Sequence, residues 1–185
     1  MRIGIGYDVH RFNGKPACRA KGSRSRRGAG RRPLKLGGVT IPFARGLSGH
    51  SDADVLLHAL TDALLGAISA PDLGEQFPSG DRRYRNADSR TFVEAACTQV
   101  RRRGWAVGNV DATVIADAPK LTGYKIRMRR AISQLLGIEA SRVSVKAKTT
   151  EGFAPGARGI AAQAVVLLKA APRTRRGRTV SGSAR

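Results

Sequence analysis

"SDADVLLHALTDALLGAIS", residues 51–69, is the stretch on which the fold turns. Its apolar residues recur at helical spacing, and Ser51 is the expected N-cap with Asp54 at the capping-box position. His58 then lies two turns into a rigid helix, just beyond His50. Histidine is scarce here, with three in 185 residues, and the third, His10, closes the opening segment "MRIGIGYDVH".

That opening segment alternates as a strand. Ile3, Ile5, Tyr7 and Val9 fall on one face, and Asp8 and His10 on the other with Gly4 and Gly6. The strand rise puts the Asp8 and His10 Cα atoms about 6.5 Å apart, within reach of one ion. An aspartate and two histidines form a zinc-like donor set that leaves a fourth position open for substrate. On spacing alone the alternative stands as well, because D-x-H arises by chance and a single helical histidine also packs into cores.

Outward from these segments, "LKLGGVTIPF" (34–43) reads as a second strand or tight hairpin, and "PDLGEQFPSGD" (71–81) as a loop broken by Pro71, Gly74, Pro78 and Gly80. A helix is expected over about Ser89 to Arg103, stopped by Gly104. A strand follows in "WAVGNVDATVIA", a basic amphipathic helix in "GYKIRMRRAISQLLG", and closing strands in "RVSVKAKTT" and "GIAAQAVVLLKA". Helices and strands mix without regular alternation, which makes the expected class α+β.

The length suits one domain, and the hydrophobic fraction of 41% suits a globular one. No apolar run approaches the roughly 20 residues of a membrane helix, and the chain enters strand-like sequence at once, so a cytoplasmic protein without a signal peptide is expected. Cys18 and Cys97 stand far apart without CxxC spacing, as free thiols in a reducing compartment do. The net charge of +21 is concentrated. Residues 13–33 hold eight Lys/Arg and no acid, and the tail from Pro172 adds five arginines. Both segments read as solvated basic appendages. Nucleic-acid binding through them is a secondary expectation.

Six segments in order, "GYDVH", "LGGVTIP", "GLSGHSDADVLLHALTDALLGA", "DLGEQFP", "NVDATVIADAPK" and "VSVKAKTTE", closely resemble the family of 2-C-methyl-D-erythritol 2,4-cyclodiphosphate synthases. The resemblance implies a domain over residues 1–171, interrupted by the basic insertion at 13–33 and followed by a basic tail at 172–185, both expected from composition to be disordered. It implies a mixed sheet with helices packed on one side, and a homotrimer with sites at subunit boundaries. It further implies a phosphorus–oxygen lyase of the non-mevalonate isoprenoid pathway. Such an enzyme converts 4-diphosphocytidyl-2-C-methyl-D-erythritol 2-phosphate to the 2,4-cyclodiphosphate and releases CMP.

Residue by residue, the resemblance gives Asp8, His10 and His58 a divalent ion, usually zinc, and Glu151 a second, Mg²⁺ or Mn²⁺, between substrate phosphates. His50 and Thr149 match positions that stabilise the transition state. Substrate contacts fall to Asp8, Val9, His10, His50 and Ser51, and to the loop Asp72, Leu73, Gly74, Phe77, Pro78, Ser79, Gly80 and Asp81. Cytidine falls to Ala116, Asp117, Ala118, Pro119, Lys120, Leu121 and Thr122, with Lys148, Thr149, Thr150 and Glu151.

Two departures stand out. After "TTE" the chain reads "GFAPGARGIA", two residues shorter than the family segment. One alignment keeps Phe153 as the family phenylalanine, and the other keeps Arg158 as the family arginine, and the resemblance adds both to the expected substrate contacts. The basic insertion is the second departure. They motivate an alternative role, a catalytically weakened member serving as a nucleic-acid- or partner-binding scaffold.

Overall fold

A computed structural model describes residues 1–13, 32–153 and 158–172. The basic insertion apart from its ends, the centre of the shortened loop, Cys18 and the arginine-rich tail lie outside the described residues. Ten elements of strand and α-helix follow in order: β1 (Arg2–Arg11), β2 (Leu34–Leu36), β3 (Val39–Ile41), α1 (Val55–Ala67), α2 (Leu73–Gln76), α3 (Arg90–Arg102), β4 (Trp105–Ile115), α4 (Lys125–Leu136), β5 (Val143–Lys148) and β6 (Gly159–Ala170).

The main sheet has the order β1-β6-β4-β5, with β4 and β5 parallel and the other pairs antiparallel. The expected mixed α+β sheet is therefore present, with α1 packed across β1 and β6. The register puts His10 opposite Ile160, and Ile115 opposite both Ala161 and Lys148. The ends of β1, β4 and β5 thus lie at one end of the sheet, β1 and β5 on opposite edges.

Two glycines explain how α1 comes so close to β1. A Cβ on Gly4 would stand 1.9 Å from the Ala63 carbonyl oxygen, and one on Gly6 would stand 2.0 Å from that of Ala59. Only hydrogen fits in that gap. The helix is buried nearly all round, with Asp62 and Gly66 the exceptions, as a helix sandwiched between layers must be. Its other flank packs on α3, and Leu34, Leu36, Ile41 and Leu47 join the same core.

The apolar face of β1 has the opposite fate. Ile3, Ile5, Tyr7 and Val9 are 71%, 61%, 59% and 59% exposed, and Val165, the β6 partner of Ile5, is exposed beside them. A soluble chain rarely leaves such a row of large apolar side chains uncovered.

Helix α1 begins later than expected. Its cap is Asp54, not Ser51. Ala53, at φ 60°, turns the chain away from helical geometry before it. The Asp54 carboxylate accepts from Leu57 N at 3.1 Å, from Gly37 N at 2.8 Å and from Gly38 N at 2.7 Å. One buried side chain thereby ties the helix N-terminus to the β2–β3 hairpin, whose two-residue turn needs positive φ at Gly37 and Gly38. The 71–81 segment is also more ordered than a plain loop. It contains the single turn α2, capped by Asp72. No helix among the described residues is long and apolar enough to cross a membrane.

Candidate active site

Asp8 and His10 leave β1 on its helix-facing side, and His58 comes down from α1 to meet them. The Asp8 Oδ2 atom lies 2.8 Å from His10 Nε2 and 3.0 Å from His58 Nδ1, and the two nitrogens are 3.3 Å apart. Two nitrogen ligands at 2.0–2.1 Å from a tetrahedral zinc would be separated by about 3.4 Å. The donor triangle therefore fits a divalent cation with little rearrangement, and its chemistry, one carboxylate and two imidazoles, suits zinc. Among the described residues this is the one group of three or more His, Cys, Asp or Glu side chains close enough to share an ion.

Burial alone would raise the Asp8 pKa, but hydrogen bonds from and charge on His10 and His58 outweigh it and hold the carboxyl well below the usual range. Asp8 is thus ready as an anionic ligand.

The triangle opens into a cleft of about 370 Å³. Of the residues expected at the site, Asp8, His10, His50, Ser51, His58, Asp72, Leu73, Gly74, Phe77 and Ser79 line it. Its apolar wall is an aromatic cluster, with Phe92 between Phe77 at 4.7 Å and Tyr84 at 5.9 Å, centroid to centroid.

The segment carrying His50 and Ser51 is stitched to its surroundings. Asn86 N donates to His50 O, Asp52 N donates to Ala87 O, and the Arg32 guanidinium reaches Gly49 O, Ser51 O and Asn86 Oδ1. The His50 Nδ1 atom is buried and has no hydrogen-bond partner among the described residues. Gly49 is needed for closeness, since a Cβ there would meet His10 Cε1 at 2.9 Å.

Several lining residues were not anticipated: Asp62, Tyr84 and Phe92. Asp62 had a signal, because it follows His58 by one turn on the same helix face. Its carboxylate accepts from Leu73 N at 2.8 Å and so anchors α2. Burial raises its pKa, and the nearby Asp72 and Asp8 charges add to the rise. Ser89, which contacts His58, was anticipated only as the start of a helix.

The remaining expected residues gather elsewhere. Asp117 accepts from Thr150 N at 2.8 Å and from its hydroxyl, and Ala116 N donates to Lys148 O at 2.9 Å. The 116–122 and 148–151 segments thereby form one unit at the ends of β4 and β5, with a cis peptide between Ala118 and Pro119. Within it the Thr149 hydroxyl donates to Glu151, and Leu121 is buried in the core. Lys120 and Thr122 are exposed.

This second cluster does not line that cleft of the same chain. Three strand spacings, roughly 14 Å, separate the two edges of the sheet. Glu151 and Thr149 are not brought to His58, because β6 and β4 intervene.

The other members of the expected set are peripheral. Val9 points to the exposed sheet face, and Pro78 and Gly80 border the cleft segment without lining it. Asp81 is engaged with Arg83, at 2.9 Å and 2.6 Å. Phe153 is almost wholly exposed, and Arg158 contributes its carbonyl to Phe12 N at 2.6 Å.

The sequence profile described as the YgbB family matches residues 1–169. The 2-C-methyl-D-erythritol 2,4-cyclodiphosphate synthase of Shouchella clausii is 49% identical over 173 residues, covering 92% of this chain and 99% of the relative. The solved bifunctional IspDF of Campylobacter jejuni matches with a TM-score of 0.78 and 39% identity over 91% of this chain, which spans only 42% of that longer protein. A solved 2C-methyl-D-erythritol-2,4-cyclodiphosphate synthase in a CDP-bound form matches with a TM-score of 0.77 and 36% identity, covering 91% of this chain and all of the other.

Proposed function

The chain belongs to the YgbB family, and we propose that within it the protein is a 2-C-methyl-D-erythritol 2,4-cyclodiphosphate synthase. The observation that carries this reading is the convergence of Asp8, His10 and His58 at 2.8–3.3 Å on the wall of a substrate-sized cleft. The names of its relatives, and the CDP bound in a solved neighbour, supply the substrate class.

In the proposed reaction an oxygen of the substrate's 2-phosphate forms a bond to the β-phosphorus. The bond from that phosphorus to the CMP oxygen breaks, and CMP leaves with the electron pair. The nucleophile is already anionic, so no protein base is required. The demand on the protein is to orient the two phosphates in line and offset their charge. A divalent cation on Asp8, His10 and His58, and a second on Glu151, would polarise phosphoryl oxygens and hold them in place.

His50 and Ser51 line the cleft beside the donor triangle, where an imidazole and a hydroxyl donate to phosphate oxygens as charge develops. Asp72, Leu73 and Gly74, held by the Asp62 anchor, offer backbone and carboxylate groups to the polyol. The aromatic wall excludes water from that side.

Thr149, Thr150, Lys148 and Lys120, with the 116–122 backbone, form the nucleotide half of the site. Because the two halves stand on opposite edges of one sheet, the reading requires β1 of one copy to approach β4 and β5 of another. A closed three-fold ring meets this need. Support comes from the exposed row Ile3, Ile5, Tyr7 and Val9, which a neighbouring copy would cover.

The test is direct. Purified protein with the CDP-linked substrate, Mg²⁺ and zinc is expected to form CMP and the cyclic diphosphate in equal amounts. A folded, metal-loaded protein that forms neither would refute the reading and favour the scaffold role.

A further inference from the structure

We infer that Ser89 and Asp52, steadied by Lys35, form a positioning chain that fixes the proton of His58 on Nε2 and so presents its Nδ1 lone pair to the cation. The inference rests on the metal reading above and adds residues that reading does not use.

Four observations compose the chain. The His58 Nε2 atom lies 3.0 Å from Ser89 Oγ and 3.0 Å from Ser51 Oγ. The Ser89 hydroxyl also donates to Asp52 Oδ1, which accepts from Ser89 N at 3.2 Å as well. The other carboxylate oxygen of Asp52 accepts from Lys35 Nζ at 2.9 Å. Ser51, Ser89 and His58 are all buried.

Proton direction follows from what each group is able to do. An ionised carboxylate only accepts, so the single hydroxyl proton of Ser89 is committed to Asp52. Ser89 Oγ therefore turns a lone pair toward His58, and in that contact Nε2 is the donor. With the ion bound, a proton on Nε2 leaves the ring's lone pair on Nδ1, the atom 3.0 Å from Asp8 Oδ2 and 3.3 Å from His10 Nε2. Metal-bound histidines need such a partner on the second nitrogen to fix tautomer and ring orientation. Lys35 keeps Asp52 anionic and therefore keeps the chain's polarity from reversing.

The helix itself argues that this is the work of Ser89. It occupies the N-cap position of α3 yet makes no side-chain capping bond. Asp88 takes that duty, accepting from Arg90 N at 3.0 Å. A serine placed at a helix start with its hydroxyl turned away from the helix is held there for another partner. Removing that hydroxyl consequently takes little from the helix and much from His58.

The experiment measures Zn²⁺ and Co²⁺ affinity of the full chain by chelator competition, together with the visible spectrum of the Co²⁺ form and the imidazole ¹⁵N shifts of the Zn²⁺ form. Ser89→Ala is expected to weaken metal binding by about 10–100-fold, to shift the Co²⁺ bands and to shift the His58 Nε2 signal. Ser89→Thr, which keeps the hydroxyl, is expected to restore all three. Asp52→Asn is the second variant, should the first fold poorly. Its amide carbonyl would turn to Lys35 and its NH₂ to Ser89, reversing the chain, and the same loss of affinity is expected. Wild-type affinity and an unchanged His58 Nε2 signal in either folded variant would overturn the inference while leaving the metal reading intact. A wild-type chain that binds neither ion would overturn both.

Discussion

His58 Nδ1 stands 3.0 Å from Asp8 Oδ2, although fifty positions separate the two residues in the chain. The contact exists because α1 lies directly on β1, and that closeness in turn exists because Gly4 and Gly6 carry no side chain. The geometry of the donor triangle is thus set by two residues with no chemistry of their own.

Gly6→Ala tests that dependence. Its Cβ would fall 2.0 Å from the Ala59 carbonyl oxygen and 2.7 Å from Ala63 N, both backbone atoms of a buried helix. A cost near or above the upper end of the ~1–3 kcal/mol typical of overpacking is expected, a fall in Tm of roughly 6–12 °C for a chain of this size. Thermal unfolding of the variant measures it, and an unchanged Tm would show that α1 does not rest on β1 as described.

Gly49→Ala acts more locally. The added methyl would meet Ala53 Cβ at 2.8 Å, His10 Cε1 at 2.9 Å and His10 Nδ1 at 3.1 Å, so the imidazole must move. Zinc affinity is expected to fall about 10-fold or more, with a smaller change in Tm than for Gly6→Ala. Chelator competition on the two variants separates these effects; an affinity equal to wild type would show that His10 has room to spare.

Ile5→Glu probes the uncovered face of β1. In the proposed assembly a glutamate there would be buried against a neighbouring copy at a cost of several kcal/mol. Light scattering is expected to give a mass three times that of one chain for the wild type and one chain for the variant. A wild-type protein that is monomeric at micromolar concentration would contradict the assembly.

Stability should also depend on pH through Asp8 and Asp52. Burial raises the Asp52 pKa, but the Ser89 hydrogen bond and the bond and charge of Lys35 outweigh it, so the net shift is downward, as for Asp8. A depressed folded pKa means that the unfolded chain binds more protons just below the usual carboxylate value of about 3.9. The stabilisation is present above that pH and is lost as pH falls through the folded values. In metal-free protein, urea unfolding between pH 2 and 6 is expected to fall less steeply for Asp52→Asn than for wild type. Parallel curves would remove Asp52 from the account.

Much of this was legible in sequence, because periodicity and scarce residues report on local geometry. The β1 face bearing Asp8 and His10, the α1 position of His58 and the loop from Asp72 to Ser79 all follow from spacing and from the resemblance. Longer-range facts did not. Ser51 reads as a cap by type, but Asp54 wins because its carboxylate also serves the hairpin amides at Gly37 and Gly38, which no local pattern reveals. Ser89 reads as a helix start, and its bond to His58 spans 31 positions. The apolar row Ile3, Ile5, Tyr7 and Val9 reads as one face of a strand, and the glycine face is the one that packs on α1. Alternation identifies two faces and does not say which one the helix chooses.

The most direct test of the central claim is anomalous diffraction at the zinc edge from crystals grown with zinc. The account predicts one strong peak bonded to Asp8, His10 and His58 at about 2.0–2.2 Å from each donor atom, and no such peak in His58→Ala. A peak held by other residues, or donors that diverge with no ion between them, would contradict it.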